Sequence, residues 1–150
     1  MKTDFLVITT LVLFAYPSLA SKVEDDIKPL IDANVDLDSM FAKSPSASQY
    51  NSGLFLKESR DHMKYVARCA ESMGGSKCED EVLSEILQNK PASKRCCIQM
   101  LVFGKECHTE VNRVLLATYY LKPFASKARL RIPKVWNRCC SSIGVCDELY

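Results

Sequence analysis

Cysteine dominates the reactive chemistry of this 150-residue chain. Eight cysteines stand at Cys69, Cys78, Cys96, Cys97, Cys107, Cys139, Cys140 and Cys146, and none precedes Cys69. Two chemistries suit such a set: oxidation in pairs, and coordination of a soft metal. Zinc sites favour closely spaced ligand pairs, but no C-x-x-C occurs, and Cys107-His108 is the nearest approach to one. An even count confined to part of a short chain reads instead as a disulfide framework, provided that the chain leaves the cytosol. The adjacent pair Cys96-Cys97 carries most information. Neighbouring side chains on a helix point about 100° apart, so these two can staple one helix to two partners.

The other candidates for chemistry have simpler explanations. His62 and His108 are the only histidines, and no nucleophile-elbow motif places an activated serine beside either. Glu79-Asp80-Glu81 suits the first turn of a helix, where carboxylates meet the positive end of the dipole, better than acid-base work. Lys94-Arg95 resembles a dibasic processing site, but a cut there falls inside the cysteine framework. No N-x-[ST] sequon is present. The expectation is no catalytic residue, no metal site and no cofactor.

The start of the chain sets the redox compartment. Met1 to Asp4 is a short polar lead, Phe5 to Ala15 an apolar run, and Ser18-Leu19-Ala20 a small-residue site. This is the order of a secretory signal over residues 1–20, cut between Ala20 and Ser21. The 11-residue run covers about 16 Å as a helix, roughly half of a bilayer core, so it reads as a signal rather than an anchor. No later stretch is long and apolar enough to span. The mature chain is expected to be extracellular, reached by secretory vesicles, with disulfides formed.

Residues 21–58 read as an acidic, then Ser-rich, mobile extension without cysteine. Six acids (Glu24, Asp25, Asp26, Asp32, Asp36, Asp38) face two lysines between Ser21 and Met40. The segment reads as a solvated tail, a removable pro-segment, or a cover for basic residues of the same molecule. Those bases fall late: Lys122, Lys127, Arg129, Arg131, Lys134 and Arg138, with no acid between Lys122 and Arg138. The formal net charge of the whole is only +2, which gives no licence for a nucleic-acid partner.

The folded unit, residues 59–150, shows helical patterning. Met63, Val66, Ala67, Ala70 and Met73 form a stripe that Gly74-Gly75 ends. A second helix from Ser76 carries Val82, Leu83, Ile86 and Leu87 and stops at Asn89-Lys90-Pro91. Ser93 caps a third, which bears Cys96-Cys97, and Gly104 marks a kink or break before the pattern resumes to Tyr119. Glu110 and Arg113 read as an ordinary surface ion pair. Residues 122–132 show no clear period and read as a loop, after which Pro133 opens a last helix capped near Gly144. The fold class is all-α: a small disulfide-stapled bundle of four or five short helices, expected to be monomeric.

The stretch from Cys69 to His108, CAESMGGSKCEDEVLSEILQNKPASKRCCIQMLVFGKECH, resembles the prolamin superfamily of plants. Its tandem cysteines and the GKxCH run place the resemblance in the prolamin-like branch of early-culture-abundant, gametogenesis-related and egg-cell-secreted proteins. The resemblance implies a secreted, non-enzymatic protein of the female gametophyte that acts in cell-cell signalling during fertilisation, through an extracellular or cell-surface protein partner. It also implies the pairs Cys69-Cys107 and Cys78-Cys96. Cys97 then pairs with Cys139 or Cys140, the other bonding to Cys146; the set adopted is Cys97-Cys139 with Cys140-Cys146. The C-x-C of lipid-transfer proteins is absent, Cys107 being followed by His108. An apolar-ligand carrier and a hydrolase inhibitor or defence protein are the alternatives on the same scaffold.

Lys122, Lys127, Arg129, Arg131 and Lys134, interleaved with Phe124, Leu130 and Trp136, are the candidate partner-binding residues. The plainer reading makes them a solvated loop beside a buried Trp136.

Overall fold

The computed structural model describes residues 28–40 and 44–145. The expected signal sequence over 1–20, its expected junction at Ala20 and Ser21, and Cys146 lie outside the described residues. The elements are α1 (Leu37–Met40), α2 (Pro45–Lys57), α3 (Arg60–Ser72), α4 (Ser76–Gln88), α5 (Lys94–Phe103), α6 (Lys105–Leu116), a 3-10 turn at Lys122–Phe124, and α7 (Ala125–Ile143). No strand occurs among the described residues. The fold is all-helical, with five helices in the cysteine-rich region from Arg60 onward.

Local chemistry sets the boundaries. Ser59 and Ser93 accept hydrogen bonds from the backbone N–H groups of His62 and Cys96, so each satisfies a donor that a helix start leaves open. Gly104 sits at φ 93°, where a side chain would be strained, and there the chain leaves α5 and enters α6. The break is therefore complete rather than a kink.

The core lies between α7 and the three helices α4, α5 and α6, with α3 packed on α6. Ile86, Leu87, Met100, Leu116 and Leu121 are fully buried there. Three disulfides bind these elements. Cys69–Cys107 joins α3 to α6, Cys78–Cys96 joins α4 to α5, and Cys97–Cys139 joins α5 to α7. Cys140 is buried beside them in α7.

Two expectations need correction. The segment 122–132, expected as a loop, forms the 3-10 turn and the first two turns of α7, which runs through Pro133. The buried face is Ala128, Arg131, Ile132, Val135, Trp136, Cys139 and Cys140, spaced i, i+3, i+4, i+7, i+8, i+11, i+12. Counting Arg131 as a surface residue hides that period. Proline inside a helix costs about 3 kcal/mol; here its ring faces solvent, and the continuous buried face offsets the loss.

The extension expected to be mobile over 21–58 is docked wherever it is described. Ile31 and Leu37 are buried in the core cluster, and the N–H groups of Leu30 and Ile31 donate to Leu87 O at 2.7 and 3.0 Å. Ser44 caps α2 with Pro45 at its first turn, a start signal masked by the Ser-rich composition. Asn51 Oδ1 accepts from Tyr119 N at 2.9 Å, and Ser44 Oγ from the Tyr120 hydroxyl at 3.0 Å. Polar ties thus hold a helix that buries only Ala47.

A buried polar network locks α6 to α7. His108 has no exposed surface, and its Nε2 lies 3.0 Å from Ile132 O, which can only accept. Nε2 therefore carries the proton, and Nδ1 accepts from the Asn112 amide at 3.2 Å. Burial holds the imidazole below its ordinary pKa, against the opposing pull of the Ile132 carbonyl and Glu85.

Two outcomes are expected from this packing. Replacing Cys97 and Cys139 together by alanine should lower stability by about 2–4 kcal/mol in denaturant titration of the oxidised protein. His108 contributes stability that is fully present above the unfolded-state pKa of about 6.5 and is lost as pH falls through the lower folded value. The stability difference between the natural chain and His108→Gln should therefore shrink as pH falls below about 6.5; parallel curves would contradict the assignment.

Candidate interaction surface

The five basic residues singled out by sequence do not share one environment. Lys122, Lys127, Arg129 and Lys134 are exposed, whereas Arg131 is buried. Lys127 and Lys134, seven residues apart, lie on the same edge of α7, and Arg129 lies on the other edge. Leu130 stands between the edges, 65% exposed. Trp136 is buried, with its ring 6.0 Å from that of His108. The outer side of α7 therefore presents three cations around one apolar side chain.

Arg131 cannot serve as a contact for a partner. Its guanidinium donates to Ile86 O at 3.2 Å, to Asn89 Oδ1 at 2.8 Å, and to Lys28 O. It closes the C-terminal end of α4 and ties residue 28 to α7. Arg138 is also spoken for: it forms a two-pronged bond to Glu85, and its Nη2 lies 3.3 and 3.2 Å from the sulfurs of Cys97 and Cys139. Lys122 holds its ammonium 4.0 Å from the centre of the Tyr50 ring and 4.9 Å from that of Tyr119, which anchors α2.

The pair read from sequence as an ordinary surface contact, Glu110 and Arg113, belongs to a cluster that joins three elements. Arg113 Nε donates to Glu110 at 2.9 Å and its Nη1 lies 3.5 Å from Glu58 at the end of α2. His62 of α3 stands between the two carboxylates, 3.2 Å from Glu58 and 3.1 Å from Glu110. Burial pushes Glu110 up, but the hydrogen bonds from Arg113 and His62, with the charge of Arg113, hold its carboxyl below the usual range. The carboxylates flank opposite ring nitrogens, so this cluster ties elements together and does not converge on a single point. No group of three metal-ligating side chains occurs among the described residues.

One hollow among the described residues lies between helices α3 to α6. Where Met73, Val82, Met100 and Val111 meet, the space is about 10 Å³, enough for at most one water molecule. Sites for small organic ligands enclose roughly 300–1,000 Å³. A larger hollow, of about 880 Å³, is an open surface trough between α2 and α3, floored by Phe55, Leu56, Met63 and Ala67. No helix of the described residues is long and apolar enough to cross a membrane.

Comparison with known proteins agrees with this architecture. Residues 68–140 match the family described as Prolamin-like. The chain is 30% identical over 135 residues to Protein DOWN-REGULATED IN DIF1 11 of Arabidopsis thaliana, a match that spans 90% of this chain and 84% of the relative. No solved structure matches. With the tandem cysteines stapling α4, α5 and α7 inside the matched region, the chain belongs to the plant prolamin-like family.

Proposed function

We propose that this protein is a secreted, non-enzymatic interaction protein of plant reproduction, acting in cell-cell signalling of the female gametophyte through a protein partner at a cell surface. The observation that carries the reading is the outer side of α7, where Lys127, Arg129 and Lys134 surround the exposed Leu130 on a covalently stapled helix. Cations around an apolar centre suit an acidic protein patch, with the charges steering approach and Leu130 losing water on contact. The same reading places residues 1–20 in a cleaved signal and pairs Cys140 with Cys146 in the oxidising space outside the cell.

The carrier alternative has less in its support, because the hollow among helices α3 to α6 holds at most one water molecule, whereas an acyl chain needs a continuous cavity. The inhibitor alternative has no specific feature in its favour.

The test is charge reversal at the three exposed cations of α7. Lys127→Glu, Arg129→Glu and Lys134→Glu combined should reduce binding of the labelled mature protein to reproductive-cell surfaces at least tenfold. The circular dichroism spectrum should be unchanged. Undiminished binding would remove the reading, and saturable binding of a fluorescent fatty acid by the natural protein, displaced by unlabelled fatty acid, would favour the carrier instead.

A further inference from the structure

The outer face of α3 carries two of its charges the wrong way round. A helix favours acids in its first turn and bases in its last, because the backbone dipole is positive at the start. Arg60 is the first residue of α3, and Glu71 lies in its last turn, which holds no base. Both are exposed, and no ion pair joins either to another described residue. They stand eleven residues apart, about 16 Å along the axis, so they cannot neutralise each other within one chain. Arg60, Lys64 and Arg68, all exposed, follow at i, i+4 and i+8, which sets like charges side by side at a further cost to the helix.

A second copy of the same helix removes these conflicts. Arg60, Lys64, Ala67 and Glu71 are spaced i, i+4, i+7 and i+11, so they form one stripe along α3. The stripe complements itself when the other copy runs antiparallel. The register that sets Arg60 opposite Glu71 of the other copy also sets Lys64 opposite Ala67, and brings Asp61 within two residues of Arg68. Two-fold symmetry repeats each pair. Ala67 is small enough to let the two axes approach closely, and Lys64 keeps its own Asp61 at 3.9 Å. Apolar surface adjoins the stripe. Arg60, Lys64 and Ala67 form one wall of the open trough of about 880 Å³, and Phe55 and Leu56 of α2 line the other. Leu56 is 86% exposed, the most exposed large apolar side chain among the described residues.

We infer that this face is the interface of a two-fold homodimer, in which the two α3 helices pair antiparallel and Phe55 and Leu56 of each copy lose water against the other. The mixture of signs selects a second copy over a uniformly acidic or basic partner, since each charge of the stripe meets its opposite in the reversed helix. The assembly departs from the monomer expected from the sequence. Lys127, Arg129 and Lys134 of α7 take no part in it, so the dimer and the partner surface on α7 stand or fall separately.

The test is sedimentation equilibrium of the oxidised full chain. The natural protein should show twice the mass of one chain at micromolar concentration. Arg60→Glu and Glu71→Arg, made in separate chains, each set like charges opposite one another across the two-fold and should weaken self-association at least tenfold. Both changes suit the helix dipole, so neither endangers the fold. Mixed one to one, the two variants should associate with each other as tightly as natural copies do, because each supplies the charge that the other has lost. Leu56→Asp should weaken association as much, with the helical spectrum unchanged. A single-chain mass for the natural protein at its highest soluble concentration would overturn the inference. So would natural-strength self-association by any of the three variants, or a mixture that stays dissociated.

Discussion

Adjacent side chains on a helix diverge by about 100°, so Cys96 and Cys97 cannot serve the same neighbour. Cys96 reaches Cys78 on α4, and Cys97 reaches Cys139 on α7. That single divergence makes α5, a helix of 10 residues, the hub to which two other helices are bonded at fixed azimuths. Cys69–Cys107 then brings α3 onto α6, which follows α5 with only Gly104 between. Each cross-link removes conformations chiefly from the unfolded chain, which matters most where the core is small. The same ties leave α5 free to expose Ile98, Val102 and Phe103 without loss of register.

Within that frame, buried polar groups fix details that apolar packing alone would leave loose. His108 is held in one tautomer between Asn112 and Ile132 O, which sets the rotation of α6 against α7. Arg131 closes the end of α4, where helix carbonyls lack internal partners, and with Gln88 it fastens residues 28–37 to that end. Arg138 lies against both sulfurs of Cys97–Cys139 while bound to Glu85. An unpaired polar atom in such surroundings is costly, so these contacts select one arrangement of helices over others of similar apolar burial.

The legible parts of this fold are those in which one local rule acts alone. Ser59, Ser93 and Gly104 mark helix ends because capping and positive φ are properties of single residues. The apolar stripe of Arg60–Ser72 and the helix ending at Asn89 are set by period. The start of α7 is obscured in the sequence because Arg131, a charged residue, occupies a core position and Pro133 sits on the solvent face of a continuing helix. Neither fact is local. The docking of residues 28–40 is hidden for a similar reason: Ile31 and Leu37 are too sparse to form a core, and what holds them is a glutamine and an arginine on distant helices. The candidate cations are visible as a run, but only three-dimensional placement separates exposed Lys127, Arg129 and Lys134 from Arg131, which the fold consumes. The cluster of Glu58, His62, Glu110 and Arg113 draws on three elements, and its short-range member alone, Glu110 with Arg113, shows in the sequence.

The whole architecture depends on the tandem cysteines diverging to two different helices. Peptide mapping of the native, unreduced protein by mass spectrometry measures this directly, using cleavage conditions that separate Cys96 from Cys97 and Cys139 from Cys140. The expected result is one fragment pair linking Cys78 to Cys96 and another linking Cys97 to Cys139, with no free thiol at any of the four. Cys97 recovered in a bond to Cys140, or either member of the tandem pair recovered reduced, would contradict it.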